Sequence, residues 1–277
     1  MLRYGYNTNG FAHHRLEDCL GILAELGYSG VAITVDVHHL NPEEASYGKL
    51  REVRRLLEKL GLEPTIETGA RYLLDPRRKH QPTLLDPDAD AREARMGFLR
   101  DCIAIGAELG AKVLSFWSGK LPEGLRRDEA SKRLAEGCRA LIDFAAARGV
   151  VSAFEPEPGM LVETIGQFRD LRVAVGPDLK LALDVGHCYC TNDLPIANVV
   201  AEFRGEIATA AVEDIRGGKH EHLMLNDGEI DFREVLGALR AVGYQGFLSL
   251  ELSRDSHRAP ECAARAIQIL KKAEGVL

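Results

Sequence analysis

Residues Leu134 to Phe154 read LAEGCRALIDFAAARGVVSAF, and the order of features inside this stretch decides the fold. Leu134, Cys138, Leu141 and Ile142 recur at helical spacing, Gly149 follows, and Val150 to Phe154 is a short apolar run suited to a buried strand. A glycine just past a helix can take the left-handed conformation that closes the last turn, so the stretch reads as helix, stop, strand. The same punctuation recurs at Gly27, Gly61, Gly110, Gly176, Gly205 and Gly243. Helical spacing is equally plain in Leu16, Cys19, Leu20 and Leu23 before Gly27, and in Val53, Leu56, Leu57 and Leu60 before Gly61.

Counting the amino-terminal run Leu2 to Tyr6, eight strands are expected. The others are Val31 to Val35, Pro64 to Ile66, Val113 to Phe116, Val150 to Phe154, Leu179 to Leu183, Ile207 to Val212 and Phe247 to Leu250. Strands alternating with helices imply a parallel sheet. Eight such units are a (β/α)8 TIM barrel, which ordinarily takes about 250 residues. The 277-residue chain is therefore expected to be one α/β domain over 1–277, with no linker or low-complexity segment dividing it. An open doubly wound sheet shows the same alternation but usually carries a glycine-rich phosphate turn after its first strand, and Asn7-Thr8-Asn9-Gly10 is not one.

Hydrophobic residues make up 45% of the chain and charged ones 28%, the balance of a globular protein with a real core. A net charge of −7 offers no field that would attract a phosphate backbone, so nucleic acid is not an expected partner. The amino terminus lacks the pattern of a secretory signal, and no run approaches the ~20 apolar residues of a membrane span. A cytoplasmic protein with no membrane partner is expected, and a homo-oligomer is compatible with the sequence. Cys19, Cys102 and Cys138, half of the six cysteines, fall at apolar helical positions and read as reduced, buried thiols.

Barrels keep function in the loops after their strands. The fifth strand runs into Glu155, with Pro156 and Pro158 preventing an immediate helix. The sixth runs into Asp184, with His187 three residues on, and the eighth runs into Glu251. Three acids delivered to one mouth repel one another unless shared protons or a cation neutralise them, so a divalent metal is expected there. The competing reading has one or two of them capping helices or pairing with arginine. After the seventh strand a long loop, Glu213 to Ile230, carries Arg216, His220 and His222. An imidazole from His220 or His222 would complete a mixed shell suited to manganese, zinc or cobalt. Arg216 would hold an anionic group or tether the loop.

A second long connection, Gly69 to Asp90, contains the basic run Arg77-Arg78-Lys79-His80, which reads as a phosphate grip or a solvated patch. Glu67 ends the third strand, Trp117 follows the fourth, and His38 and His39 follow the second, so position alone puts all four at the mouth. Cys188 and Cys190 lack the second pair of a cysteine zinc site.

At these residues the chain resembles the xylose isomerase-like barrel superfamily, which includes sugar isomerases and epimerases, inosose-handling enzymes and the endonuclease IV type of repair enzyme (AP endonuclease family 2). The marks are Glu155 in FEPEPG, the D-x-x-H of Asp184 and His187, the HL…GEIDF stretch from His222 to Phe232, and Glu251 in SLEL. The resemblance implies that Glu155 and Glu251 bind a divalent ion (Mn, Zn, Co or Mg) and exchange a proton with a substrate carbon from opposite faces. It also implies that Asp184 is a ligand and that His187 touches metal or substrate. One departure stands out. Relatives usually carry a liganding histidine in a pattern like vHlkD, where this chain has Ala211-Val212-Glu213-Asp214. Glu213, His220 or His222 takes over, or carboxylates and water hold the metal, or the site is altered or lost.

The leading functional expectation is isomerisation or epimerisation of a small sugar, keto-polyol or sugar phosphate through a metal-stabilised enediolate. Glu155, Glu251 and His187 would be catalytic, Glu155, Asp184, His222 and Glu251 would hold the metal, and Arg216, His220, Trp117 and Glu67 would contact substrate. Alternatives are a lyase or dehydratase on a related keto-polyol or glycoside, phosphodiester hydrolysis at abasic DNA, and a non-catalytic barrel. The repair branch is disfavoured because its extra histidines are absent: the third and fourth strands end in Glu67-Thr68-Gly69 and Trp117-Ser118-Gly119.

Overall fold

A computed structural model describes residues 1–275 and shows the helix, glycine, strand rhythm in the backbone itself. Gly61 closes its helix at φ 67° and Gly110 at φ 86°, left-handed conformations in which a side chain would be strained. Gly176 differs, with φ 125° and ψ 173°, so the chain leaves that helix through a wider turn.

The first seven strands are β1 (Arg3–Tyr6), β2 (Gly30–Thr34), β3 (Glu63–Glu67), β4 (Val113–Phe116), β5 (Val151–Phe154), β6 (Lys180–Asp184) and β7 (Ile207–Val212). An antiparallel hairpin follows, β8 (Asp214–Arg216) and β9 (Lys219–Leu223), and β10 (Phe247–Leu250) is the eighth barrel strand. The eight pair in the order β1, β10, β7, β6, β5, β4, β3, β2. A parallel bridge between Asn7 and Ala32 brings β1 back to β2, so the (β/α)8 barrel is nearly closed.

Around it run α1 (Leu16–Glu25), α2 (Tyr47–Leu60), α3 (Ala89–Leu109), α4 (Arg127–Ala146), α5 (Ile165–Val175), α6 (Val185–Thr191), α7 (Ile196–Glu202), α8 (Phe232–Ala241) and α9 (Ala259–Glu274). Among the described residues no helix is long and apolar enough to cross a membrane.

Strand side chains alternate between two environments. Ile33, Ile66, Leu114, Phe154, Leu183 and Leu250 belong to the hydrophobic core that the strands share with the helices. Their neighbours Ala32, Thr65, Ser115, Ala182, Ala211 and Ser249 line the narrow lumen. Small side chains thus fill the axis, in place of the bulky branched layers usual in such barrels. Glu67, Asp184, Glu213 and Glu251 each lie two residues beyond one of these small positions, and Glu155 lies two beyond Ala153. Period-two geometry therefore turns all five carboxylates toward the axis.

The long loop after β7 contains regular structure. Arg216 pairs with Lys219 across Gly217 and Gly218, at φ 59° and 67°. Two successive left-handed residues are what a tight hairpin turn of matching twist requires.

Candidate functional site

Glu155 continues the β5 ladder, its backbone N–H donating to the Phe116 carbonyl at 2.8 Å. Asp184 ends β6 and caps α6, its Oδ1 accepting from the His187 backbone N–H at 2.9 Å. That cap places the His187 ring one turn into α6, where Nδ1 lies 2.9 Å from the Pro156 carbonyl. Nδ1 therefore carries the hydrogen, and Nε2 faces the cavity. His187 lies 3.6 Å from Glu155 (Nδ1 to Oε1), 3.6 Å from Glu157 (Nε2 to Oε2) and 3.9 Å from Asp184 (Nε2 to Oδ2).

The β8–β9 hairpin folds back over this group. It sets His220 Nε2 at 3.1 Å from His187 Nε2, and His222 Nδ1 at 3.6 Å from Glu213 Oε1. Glu213 itself is 0% exposed. It fits only because residue 186 is glycine: a Cβ there would stand 2.1 Å from Glu213 Oε1. Across the lumen, Glu251 is held by two amides, Asn7 Nδ2 at 2.8 Å and Asn9 Nδ2 at 3.0 Å.

Burial disfavours charge on Glu155, Glu213 and Glu251, and their acidic neighbours add to it, so all three are pushed well above the usual carboxylate range. Glu67 and Glu157 are raised as well, chiefly by burial. Burial also opposes charge on His187, but the Asp184 and Glu157 carboxylates outweigh it and raise its pKa. Burial lowers His220 to about 4 and puts His222 well below the ordinary histidine value, so both rings are neutral near pH 7.

Asp184 Oδ2, both oxygens of Glu213 and Nδ1 of His222 are buried without a hydrogen-bond partner. Buried polar atoms are normally paired, and a cluster of orphaned oxygen and nitrogen donors is what a cation would satisfy. Three sets of side chains bring one donor atom each within 4.8 Å of the others: Glu155, Asp184 and His187; Glu157, His187 and His220; Glu213, His220 and His222. The residues therefore fit a divalent ion.

Above the acids the mouth widens into a basin lined in part by Glu67, Trp117, Glu157, His220 and His222. Trp117, 5% exposed, is a wall braced by the Arg95 guanidinium 4.3 Å over its ring and by the edge of His80. Arg95 is buried and donates to the Thr68 carbonyl at 2.9 Å. The basic rim consists of Arg71, Lys79, Lys120 and Arg254.

Of the two readings of Arg216, substrate contact is corrected and the loop tether stands. Arg216 is exposed, and its guanidinium donates to the Asp227 carbonyl, so it ties the hairpin to the following turn and does not line the basin. Of the basic run, Arg78 pairs with Asp75 at 2.7 Å while Lys79 and His80 turn inward. His38 and His39 line a separate small pocket, where His39 is tied to the His14 carbonyl at 3.0 Å. Asn7, Asn9 and Glu157 were not singled out from the sequence. Glu157 lies in FEPEPG two residues past Glu155, and that spacing was the available signal.

Residues 20–273 match the family model described as the xylose isomerase-like TIM barrel. The chain belongs to this family. Among similar proteins, a 3-dehydroshikimate dehydratase of Pseudomonas aeruginosa is 27% identical over 266 residues, 92% of this chain and 39% of its own length. An inosose dehydratase of Serratia proteamaculans is 25% identical over 170 residues, 54% of this chain and 57% of its own length. The chain thus spans about two fifths to somewhat over half of these relatives. Among solved structures of the xylose isomerase-like fold, the apo 3-keto-D-glucoside 4-epimerase YcjR from E. coli superposes with a TM-score of 0.81. It is 17% identical and is covered over 98% of this chain and 100% of its own. A D-psicose 3-epimerase crystallised in the presence of D-fructose gives a TM-score of 0.80 at 16% identity, covering 99% of this chain and 100% of that one. At such identities these structures share the fold.

Proposed function

We propose that this chain is a divalent-metal-dependent enzyme that moves a proton on the carbon beside a carbonyl of a small polyhydroxy compound, isomerising or epimerising it. The observation that carries this reading is the pairing of two carboxyls, Glu155 and Glu251, on different strands of one lumen and in unlike surroundings. Unlike surroundings are how a site divides acid and base roles between chemically similar groups.

Glu155, Asp184 and His187 would hold the ion, with His222 reaching the centre through Glu213. A divalent ion bound there supplies Lewis acidity, acidifying the adjacent C–H and steadying negative charge on oxygen. Glu251 accepts two amide hydrogen bonds, which orient its carboxylate, and it takes the proton from substrate. Glu155 has a second oxygen free of any ligand role and returns a proton from its own strand. The Pro156 carbonyl fixes the His187 ring through Nδ1 and leaves the Nε2 lone pair turned to the ion's place. Trp117 and Glu67 line the path of the substrate, with Arg254 and Lys79 on the rim in the part assigned by sequence to Arg216.

Dehydration is a second reading, supported by the two dehydratases among the relatives. It starts with the same proton abstraction and ends with loss of a hydroxyl β to the carbonyl. Metal-loaded protein incubated in D2O with ketohexoses, keto-inositols and dehydroshikimate separates the two by NMR. Deuterium at the carbon beside the carbonyl with the hydroxyls intact supports the isomerase or epimerase. An unsaturated product supports the dehydratase, and neither outcome with any substrate class refutes both.

A further inference from the structure

We propose that the substrate carries an anionic group, a phosphate or a carboxylate, at the end away from its reacting carbon, and that Lys79, Lys120 and Arg254 hold it at the rim. The inference deepens the proposed function and rests on it for the reacting carbon alone.

The three cations come from different loops. Lys79 lies in the long connection after β3, Lys120 follows β4, and Arg254 stands three residues past Glu251, beyond β10. All three are exposed, and they line the same basin to which Glu155 and Glu251 contribute. Three separate loops thus bring positive charges to one concave rim of a chain whose net charge is −7. Like charges gathered in this way repel one another, and an anion seated between them removes the repulsion.

These charges are not spent inside the protein. Other cations near the mouth are matched: Arg71 faces Asp36 at 3.6 Å, Arg78 pairs with Asp75 at 2.7 Å and Arg258 with Asp255 at 3.0 Å. Among the described residues Lys79, Lys120 and Arg254 make no ion pair. Arg254 donates through Nη2 to the His220 carbonyl at 3.2 Å, which lays the side chain against the hairpin and leaves the rest of its N–H fork for a ligand. Within the run Arg77 to His80, only Lys79 and His80 line the basin. His80 anchors that turn: its backbone N–H donates to the Arg71 carbonyl at 2.6 Å, and its Nδ1 lies 2.6 Å from the Gly69 carbonyl. The charges of Lys79 and Arg254 are both felt at the His220 and His222 rings, so the two cations overlook the same part of the mouth.

A neutral polyhydroxy compound would gain little from three unpaired cations. A phosphate or carboxylate accepts charge-assisted hydrogen bonds from all of them, and Arg254 can offer a two-pronged one. Holding the charged end at the rim also leaves the carbonyl end as the one that reaches the acids.

The test is binding of unreactive polyols to manganese-loaded protein, read by calorimetry. Sorbitol 6-phosphate, gluconate and sorbitol share one carbon chain and lack a ketone or aldehyde. A charged probe is expected to bind at least about 10-fold tighter than sorbitol and to weaken as salt is raised. A preference for sorbitol 6-phosphate over gluconate identifies a phosphate, and the reverse a carboxylate. Lys79→Gln, Lys120→Gln and Arg254→Gln are each expected to lower the charged probe's affinity about 5–10-fold and to leave that of sorbitol unchanged, with folding checked by circular dichroism. Arg78→Gln, which removes the same charge from the same loop outside the basin, is expected to change neither. Charged probes that bind no better than sorbitol overturn the proposal. So does a preference that survives all three rim variants, because the metal would then be holding the anion. Rim-dependent anion binding without proton exchange on any ketose, free or phosphorylated, would leave this site standing and sink the proposed function. Exchange on neutral ketoses with no anion preference would do the reverse.

Discussion

Replacing Glu213 by glutamine (Glu213→Gln) is expected to stabilise the metal-free protein relative to its parent and to lose that lead when metal is bound. Burial, together with Asp184, Glu251 and Glu155, raises the Glu213 pKa above its ordinary 4.5. An acid raised in the folded state contributes its full stability below the unfolded value and loses it as pH climbs toward the folded one. The loss is about 1.4 kcal/mol for each pH unit over which the folded protein alone keeps the proton. At about pH 7.5, three units above the ordinary value, the ceiling is about 4 kcal/mol. Glutamine carries no such penalty and keeps the shape that fits against Gly186. For a chain of this size, 1 kcal/mol moves the melting temperature by roughly 2–4 °C, so the variant in EDTA would melt up to roughly 8–16 °C higher. At pH 5 the gain shrinks to under about 1 kcal/mol. A saturating divalent ion offsets that lead, because binding at about 1,000 times Kd stabilises the unaltered protein by about 4 kcal/mol and the variant has lost a ligand. Calorimetric melting at the two pH values, with and without zinc, reads all four numbers. A metal-free variant no more stable than the parent at pH 7.5 would refute the idea that Glu213 is held against electrostatic resistance.

Gly186→Ala puts a methyl against the Glu213 carboxylate and is expected to cost about 1–3 kcal/mol and to weaken zinc binding, both visible in one calorimetric titration. Removing the amides that hold Glu251, by Asn7→Ala or Asn9→Ala, is expected to slow deuterium exchange about 10–100-fold with little change in KM. A rise in KM alone would mean that the asparagines bind substrate instead. Arg254→Ala is expected to raise KM, and Arg216→Ala to leave turnover unchanged while loosening the hairpin, checked by steady-state kinetics and hydrogen exchange. An abasic duplex incubated with the zinc-loaded protein is expected to stay unnicked.

The barrel was legible because its signals are local. A glycine after each helix and a β-branched run after each glycine need only nearest-neighbour chemistry, and the eight strands fall within a residue or two of where the apolar runs put them. The acids were legible for a related reason. Glu155, Asp184 and Glu251 end their strands, and period-two alternation fixes the side to which each points. What escaped depends on contacts distant in sequence. Asn7 and Asn9 reach Glu251 across the closure of the barrel, some 240 residues away in the chain. Arg216 read equally as an anion grip or a loop tether because its partner, a backbone carbonyl at Asp227, carries no sequence mark. The hairpin was a missed local signal, since Gly217-Gly218 is itself a turn sequence. The vacancy at Ala211 was visible, and Glu213, His220 and His222 were its candidate replacements, but sequence could not say which of them turn inward. Glu213 takes up the inward direction one pleat higher, and the folded-back hairpin brings two imidazoles to it.

The methyl and hydroxyl groups along the axis have a consequence for how such a protein diversifies. Folding energy resides in the shell where Ile33, Leu114, Phe154 and Leu250 meet the helices. The floor beneath the acids, paved by Ala32, Thr65, Ala182 and Ser249, carries little of that load. Exchanges among alanine, serine and threonine there alter the depth and polarity of the chamber by an atom or two and leave the frame intact. Substrate preference can drift by repaving while the carboxylates stay anchored to their strands.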